Sequence, residues 1–278
     1  MEFITEIDVI ANGNSLPRIL GNRIIRFIPQ QPINDSYTTN HSVKYVRSGY
    51  EEYAIQGRSE RLNGGDTMLV NAERRVTAES LGDAFAIFME DELIDEIAAV
   101  LFNGASQGSV IHKNHTQRVV SKDFAMIWAK ILANPDVVLT EEFFYETGAM
   151  YITSFITDRD ISARLQYKHD LTARAVKEQL QKARLFIFEH VESNISLSDV
   201  AGQAAMSRFN LIRQFKQLYG FTPIRLHTWL RLNRAKALIR QQHLSLTEIA
   251  HKLDYPDLFT FSKQFKRLTG RSPSHFQL

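Results

Sequence analysis

Two segments near the C-terminal end place basic side chains at matching positions on predicted helices. Arg213 and Lys216 lie three residues apart, and Lys263 and Lys266 repeat this spacing fifty residues later. Residues three apart share one face of a helix. Rows of lysine and arginine suit the phosphates of nucleic acid, because neutralising a phosphate releases condensed counterions. An arginine can also form two hydrogen bonds with a guanine base. These residues indicate polyanion binding rather than catalysis.

The formal charge is split between the two parts of the chain. Residues 1–173 contain 16 Lys+Arg and 24 Asp+Glu, whereas residues 174–278 contain 17 and 7, so the parts carry −8 and +10. A basic end on an acidic body indicates that only this end binds a polyanion, for which nucleic acid is the commonest candidate. The alternative is an accidental distribution of charges over solvated faces.

Enzymatic chemistry has little support in the residue types present. The chain has no cysteine, which excludes disulfides, thiol nucleophiles, alkyl transfer to cysteine and cysteine-ligated metals. His41 is the one histidine of residues 1–110, and the pair His112 and His115 has no further ligands nearby. Four acidic residues, Asp91, Glu92, Asp95 and Glu96, are better explained as the solvated face of a helix than as a metal cluster. We expect no catalytic site, no metal site and no cofactor.

The length and composition fit a globular protein of two domains. The chain has 278 residues, of which 44% are hydrophobic and 23% charged. The longest apolar run, Ile97–Phe102, is far shorter than the roughly 20 residues of a membrane helix. The first residues, Met1–Glu6, are acidic where an export signal would be basic. We therefore expect a cytoplasmic protein without a membrane segment.

The first part of the chain has the pattern of short β-strands. Turn signals such as Asn63–Asp66 separate apolar or alternating runs between residues 22 and 90. The predicted strands are Ile24–Ile28, Val43–Arg47, Glu52–Gln56, Thr67–Val70, Arg75–Ala78 and Ala84–Phe88. Short strands at this interval indicate a small sandwich or barrel.

Helical periodicity replaces the strand pattern after Glu90. A helix is predicted over Leu93–Leu101, and two more over residues 121–133 and 139–157. The latter two are rich in large apolar residues, so they either cap the barrel or pair with a second subunit. Residues 158–175 are a polar linker, and from about residue 176 the chain is predicted to be helical throughout.

The basic part contains an internal repeat. Ser196–Ala201 matches Ser245–Ala250, and Phe215–Gly220 matches Phe265–Gly270. Each copy predicts a short helix capped near Ser198 or Thr247, a turn, and a longer helix with a basic outer face, which is a helix-turn-helix arrangement. The predicted core stripes of the longer helices are Leu211, Phe215 and Leu218, then Phe261, Phe265 and Leu268.

A helix over residues 223–240 would separate the two copies. Its 18 residues span roughly 27 Å at ~1.5 Å per residue. A spacer of this size fits two reading helices about one DNA turn, ~34 Å, apart.

Residues 178–278 resemble the AraC/XylS family of bacterial transcription regulators. The motifs that carry the resemblance are Ser207-x-x-x-Leu211-x-Arg213-x-Phe215-Lys216, Gly220–Pro223, Arg231–Ala235, Leu246–Ala250, Phe261–Lys266 and Gly270–Pro273. Over the first part of the chain the resemblance is architectural only.

The resemblance implies an α+β protein of two domains. An N-terminal cupin-like β-barrel or sandwich with appended helices would occupy residues 1–118, followed by a helical dimerisation or linker region at 119–172. An all-α DNA-binding domain would occupy 173–278, with helix-turn-helix units at about 197–219 and 246–269 joined by the linker helix 223–240.

The resemblance also implies which residues contact DNA. The base-reading positions are Phe209, Ile212, Arg213, Leu258, Phe259, Thr260 and Lys263. Phosphate contacts are expected from Ser207, Arg208, Asn210, Lys216, Lys266 and Arg271. For Phe209, packing beneath the first short helix is the alternative.

Two departures from the family pattern stand in the second unit. Asp254 and Tyr255 replace the usual Gly-Phe, so a positive φ at Asp254 would be strained. Phe259 stands where the family often has a small polar residue, and Lys263 stands where it often has arginine. Lysine lacks the forked donor set that reads guanine. We therefore expect the first unit to discriminate more between base pairs.

Several residues of the predicted strands are candidates for an effector-binding pocket. An effector pocket inside the barrel would be lined by Phe27, Tyr45, Tyr53, Phe85 and Phe88, each of which could also be plain core. Arg26, Lys44 and Arg47 would suit an acidic effector, unless strand alternation places them outside.

Several partners follow from the resemblance. They are double-stranded DNA, RNA polymerase, a second copy of the chain in a homodimer, and a small-molecule effector, with activation as the commoner role. A protein partner in place of the small molecule and a metal cupin enzyme fused to DNA-binding helices are the alternatives.

Overall fold

The chain divides into two compact units, Met1–Phe155 and Ile156–Leu278. The computed structural model describes residues 3–10, 21–55, 58–71, 74–102, 117–119, 124–133, 140–154 and 170–276. His112, His115 and most of the predicted linker 158–175 lie outside the described residues. The first unit combines a sheet with helices and the second is helical, which confirms the predicted α+β class. The predicted boundaries after residues 118 and 172 stay predictions.

The N-terminal unit contains one eight-stranded sheet within its described residues. The strands are β1 (Phe3–Ile10), β2 (Asn22–Phe27), β3 (Ile33–Thr39), β4 (His41–Ile55), β5 (Arg58–Asn63), β6 (Thr67–Val70), β7 (Arg74–Met89) and β8 (Gln117–Val119). The order is β1-β2-β7-β4-β6-β8, and β3 and β5 pair with β7 and β4. All pairs are antiparallel except β1 with β2.

Two long strands replace four of the predicted short ones. The strand β4 joins Val43–Arg47 with Glu52–Gln56 as far as Ile55, and β7 joins the two runs on either side of Gly82. Gly49 and Gly82 pair directly at the bend, with φ of +83° and +121°. A Cβ atom on Gly49 would lie 2.1 Å from the Leu81 carbonyl oxygen. These glycines therefore allow the paired strands to bend together instead of ending them.

The inner face of the bent sheet carries the core of this unit. Pleating places alternate residues of β4 and β7 on this face, and they pack with the partly buried Phe27 and Tyr37. The members of the cluster are Val46, Tyr53, Ile55, Leu62, Met68, Val70, Val76, Ala78 and Ala84.

Three helices follow the sheet: α1 (Asp91–Phe102), α2 (Ala125–Ala133) and α3 (Glu141–Ser154). Trp128 of α2 stacks on Tyr45 at 4.8 Å between ring centroids, and Phe144 and Tyr151 of α3 are fully buried. Gly148 lets α3 approach α1, since a Cβ there would lie 2.4 Å from Ile97 Cδ1. The large apolar side chains of α2 and α3 thus pack inside this unit, which favours the capping interpretation over pairing with a second subunit.

The C-terminal unit is helical. Its helices are α4 (Asp170–Glu189), α5 (Leu197–Gln203), α6 (Arg208–Tyr219), α7 (Pro223–Gln241), α8 (Leu246–Lys252), α9 (Leu258–Thr269) and the 3₁₀ helix Pro273–Phe276. We call α5 with α6 the first helix pair and α8 with α9 the second. No helix within the described ranges is long and apolar enough to cross a membrane.

Matching capping boxes begin the two short helices. Ser196 and Ser245 are the N-caps, and each exchanges hydrogen bonds with the acidic residue three positions later, Asp199 or Glu248. The caps therefore lie two residues before the predicted Ser198 and Thr247.

The core stripe of the second pair is shorter than predicted. Leu211, Phe215 and Leu218 are all buried in α6, and Phe261 and Phe265 are buried in α9. Leu268, however, is 40% exposed, so its assignment to the core was wrong. The elements that pack against the two long helices differ, since the 20-residue α4 packs against α6 and the four-residue 3₁₀ helix packs against α9.

Both turns contain a non-glycine residue in the left-handed region. Ala205 has φ of 50° and Asp254 has φ of 53°. The positive angle expected at Asp254 is therefore present, and the same strain occurs at Ala205 in the first pair. In each turn the following amide donates to a carbonyl of the short helix, Ala201 or Ala250, at 2.9 Å.

Replacing Ala205 by glycine should stabilise the C-terminal unit. A Cβ atom disfavours the left-handed conformation, so its removal stabilises the folded state. This stabilisation exceeds the cost of the extra chain entropy that glycine loses on folding, and the free energy of unfolding should rise by about 0.5–1 kcal/mol. Urea unfolding followed by fluorescence would measure it in a chain that also carries Trp128→Phe, so that Trp229 is the single tryptophan. Asp254→Gly is the matched control with a smaller gain, because Asp254 Oδ2 accepts a hydrogen bond from the Asn194 amide at 2.9 Å. If Ala205→Gly were less stable than the wild type, the backbone of Ala205 would not be strained in the way we infer.

Candidate nucleic-acid interface

The long helices of the two pairs expose large apolar side chains at equivalent positions. Phe209 is 73% exposed and Phe259 is 75% exposed, and each is the second residue of its helix. Ile212 and Leu258 are also more than a third exposed. The alternative that Phe209 packs beneath α5 is therefore wrong. Phe209 and Ile212 stand three residues apart on one helix face, and grouped exposed apolar side chains are typical of a surface that contacts a partner.

Basic and polar residues complete each exposed face. On α6, the Arg213 guanidinium lies 6.0 Å from the centre of the Phe209 ring, so these two side chains share one surface. On α9, Thr260 and Lys263 are exposed one and four residues after Phe259. The structure thus groups Phe209, Ile212 and Arg213 on α6 and the other four predicted base-reading residues on α9.

The predicted phosphate contacts are all exposed, but the two helices differ at their first turn. The residues are Ser207, Arg208, Asn210, Lys216, Lys266 and Arg271. Ser207 caps α6 by accepting a hydrogen bond from the Asn210 amide, whereas Asp257 caps α9 through the Thr260 amide at 2.6 Å. These hydrogen bonds lower the pKa of the Asp257 carboxyl. A carboxylate at this end of α9 repels a phosphate, so the neutral cap of α6 is the better phosphate site.

The predicted effector-pocket residues of the N-terminal unit do not share one space. Strand pairing places Phe27 and Phe88 on the inner face of the sheet with Tyr53. Tyr45 and Phe85 lie opposite each other on the other face, where Tyr45 stacks on Trp128. A single pocket can therefore contain the first three residues but not all five.

A lysine and a carboxylate are buried on the inner face. The Lys44 ammonium donates to the Tyr37 hydroxyl at 2.9 Å and lies 4.1 Å from the centre of the Phe88 ring. Glu51 accepts hydrogen bonds from Ser80, at 2.8 Å, and from Tyr53. Burial lowers the pKa of Lys44 to about 7, and burial raises the pKa of Glu51.

The other two basic candidates are outside this space. Arg26 and Arg47 both donate to Asp83, at 2.9 and 3.3 Å. Of the three residues considered for an acidic effector, only Lys44 therefore points inward. Among the described residues, no three His, Asp or Glu side chains converge as a metal site would require, and His41 contacts Tyr151 and Asp91 through its two ring nitrogens.

Comparison with known proteins agrees with the geometry of the C-terminal unit. Residues 200–278 match a family model described as a helix-turn-helix domain. The raffinose operon transcriptional regulatory protein RafR of Pediococcus pentosaceus is 35% identical over 113 residues, which are 40% of this chain and 41% of RafR. The transcriptional activator RhaS of Escherichia coli is 36% identical over 85 residues, which are 31% of each chain. The C-terminal part of the chain therefore contains a helix-turn-helix domain that is similar to those of AraC-type transcription regulators.

A solved structure is similar over the same AraC-type part. The C-terminal domain of AraT, a response regulator from Geobacillus stearothermophilus, is 31% identical, with a TM-score of 0.34 over 36% of this chain and 83% of that one. The chain spans about a third to two fifths of the length of the relatives RhaS and RafR.

Sequence reasoning missed the contacts that join the two helix pairs of the AraC-type part. Arg231 is only 6% exposed, and its guanidinium donates to the Leu253 carbonyl. Its partners lie 22 and 37 residues away, at Leu253 and Asn194. The Arg231–Ala235 motif was the one available signal.

Proposed function

We propose that the protein is a sequence-specific DNA-binding transcription regulator whose helices α6 and α9 enter adjacent major grooves. The observation that carries the proposal is the repeated exposed face, on which a phenylalanine and a basic residue stand four positions apart in both helices. A helix of this type lies in the major groove with its first residues at the base edges. The charge of +10 on residues 174–278 suits the phosphates on either side.

In this proposal the two helices read DNA by different contacts. Arg213 donates to a guanine, while Phe209 and Ile212 contact thymine methyl groups. On α9, Leu258 and Phe259 supply apolar contacts, Thr260 a hydroxyl and Lys263 a single donor group, so discrimination by α9 is weaker. The phosphate contacts come from Ser207, Arg208, Asn210, Lys216, Lys266 and Arg271.

We also propose how the whole chain regulates transcription. RhaS is named a transcriptional activator, which favours activation, and hence contact with RNA polymerase, over repression. We place the protein in the cytoplasm with its DNA, and expect a cupin-like N-terminal domain to control it, as a homodimer in the pattern of its family.

For the effector we propose a small acidic molecule held between the halves of the bent sheet. Phe27, Tyr53 and Phe88 supply apolar walls, and Lys44 supplies the counter-charge. Glu51 already accepts two hydrogen bonds, whereas Tyr37 is the single hydrogen-bond acceptor of Lys44 among the described residues. The free donor capacity of Lys44 favours a ligand with acceptor oxygens over a cation.

In-vitro selection of random duplex DNA by the full-length protein tests the DNA-binding function. Two recurring sequence blocks about one helical turn, or ~10.5 base pairs, apart are expected, with the sharper block under α6. Salt-sensitive binding without enrichment of any sequence would contradict sequence-specific reading by the protein in its ligand-free form.

Arg213→Ala and Lys216→Ala form a matched pair on one helix. The first change should weaken binding to the selected site by about 1–3 kcal/mol and relax the preference at one base pair. The second should weaken all sequences alike and reduce the slope of log K against log salt by about one unit. Fluorescence titrations with selected and random duplexes measure both. An equal loss of selected and random binding in Arg213→Ala would refute its base-reading role.

Thermal unfolding with pairs of organic acids and their neutral amides tests the effector site. An acid that binds only the folded state at 100 times its Kd should add about 2.7 kcal/mol of stability to the wild type. The Lys44→Met variant should lose this effect, and the amides should have little. Equal stabilisation of the variant would contradict the role of Lys44. Stabilisation by none of the acids would favour a protein partner.

A further inference from the structure

A group of polar contacts, which we call the polar bridge, joins the segment before α5 to the second helix pair. Its members are Glu192, Asn194, Arg231, Arg234, Lys252 and Asp254. Glu192 and Asn194 stand in the loop between α4 and α5, and α4 packs against α5, α6 and α7. The loop therefore belongs to the packing of the first pair, while Lys252 and Asp254 belong to α8 and its turn.

Glu192 forms two ion pairs across this junction. One carboxylate oxygen accepts a hydrogen bond from Arg234 Nε at 2.6 Å, and the other lies 3.3 Å from Lys252 Nζ. Burial alone would raise the pKa of Glu192, but the two cations hold it below its usual value. The Asn194 amide adds a hydrogen bond to Asp254 Oδ2 at 2.9 Å.

Arg231 lies at the centre of the polar bridge. Its guanidinium donates to the Leu253 carbonyl, lies 3.4 Å from Asn194 Oδ1, and packs over the Tyr255 ring at 4.3 Å. A planar guanidinium with fixed donor directions orients the groups it binds, which a lysine ammonium does not do. Arg231 thus fixes the turn of the second pair against both α7 and the loop before α5.

Besides the polar bridge, the helix α7 contacts both pairs. It packs against α5 and α6, and Ala235, Leu238, Ile239 and the partly buried Leu232 join the core of the second pair. A single helix fixes the distance between the two helix pairs along its axis, but long helices bend. Lateral contacts are needed to hold the rotation of one pair relative to the other.

We propose that the polar bridge sets the separation and rotation of α6 and α9, so that Arg231 and Glu192 are positioning residues that determine the spacing between the two halves of the DNA site. This inference rests on the proposed function, because it requires both helices to read DNA. Adding one base pair between the halves moves the second by ~3.4 Å and turns it by about 34°. A rigid junction rejects such a site, whereas a loose one accepts it.

Parallel selections from one random duplex library test the proposal with the full-length chain. The proteins are the wild type, Arg231→Met, and the double variant Glu192→Gln/Asp254→Gly, which acts at less buried positions in case Arg231→Met fails to fold. Ile249→Val is the matched control, since it loosens the buried core of the second pair without touching the polar bridge. The distribution of separations between the two selected blocks is the readout, because loss of stability alone does not change it.

The wild type and Ile249→Val should select one separation, and a one-base-pair insertion should weaken their binding by about tenfold, as a mismatched base pair does. The polar-bridge variants should also bind sites whose separation is one base pair longer or shorter, with an affinity only about twofold weaker. Equally narrow distributions in the double variant and the wild type would overturn the proposal, as would scattered separations in the wild type. A wild type that selects no second block refutes two-helix reading itself, which is a failure of the proposed function.

Discussion

A DNA duplex presents its major groove to one side only once per helical turn, so two joined helices can enter neighbouring grooves only at one separation and one rotation. The proposed DNA-binding function places this constraint on the C-terminal unit. The helix α7 extends over 19 residues, roughly 28 Å at ~1.5 Å per residue, and contacts both pairs. The capping boxes, the left-handed turns and the polar bridge then orient each exposed helix relative to α7.

The exposed phenylalanines cannot be explained by the stability of the isolated chain. Each apolar Å² left in water forgoes about 25 cal/mol of stabilisation, yet Phe209 and Phe259 are both about three-quarters exposed. Their equivalent places in the repeat point to one shared requirement, which in the proposed function is contact with base edges. The two helices are nevertheless unequal, because a neutral Ser207 and the forked Arg213 on α6 correspond to a charged Asp257 and Lys263 on α9.

Local patterns in the sequence predicted most of the helical unit but not its junctions. The repeat, the buried stripe of α6 and the helix start at Pro223 are encoded within a few residues, and the structure agrees with them. The Glu192–Arg234 pair joins residues 42 positions apart, so no local spacing indicates it. In the sheet, Gly49 and Gly82 resemble strand ends in sequence, because their role as a paired bend depends on the register of two distant strands.

The least expected feature of the N-terminal unit is a lysine and a glutamate in its core. Taking a lysine and a glutamate out of water is costly, and apolar residues of similar volume often give equal or greater stability. Lys44 and Glu51 are nonetheless 1% and 3% exposed. The Glu51 carboxylate accepts from Tyr53 and Ser80, so its burial is compensated. The Lys44 ammonium faces three aromatic rings and one hydroxyl, and the charge of Glu51 also stabilises it. An acidic ligand would gain a hydrogen-bonded counter-ion there that water does not screen. Stability alone therefore does not account for this lysine, whereas the proposed effector site on the inner face of the sheet does.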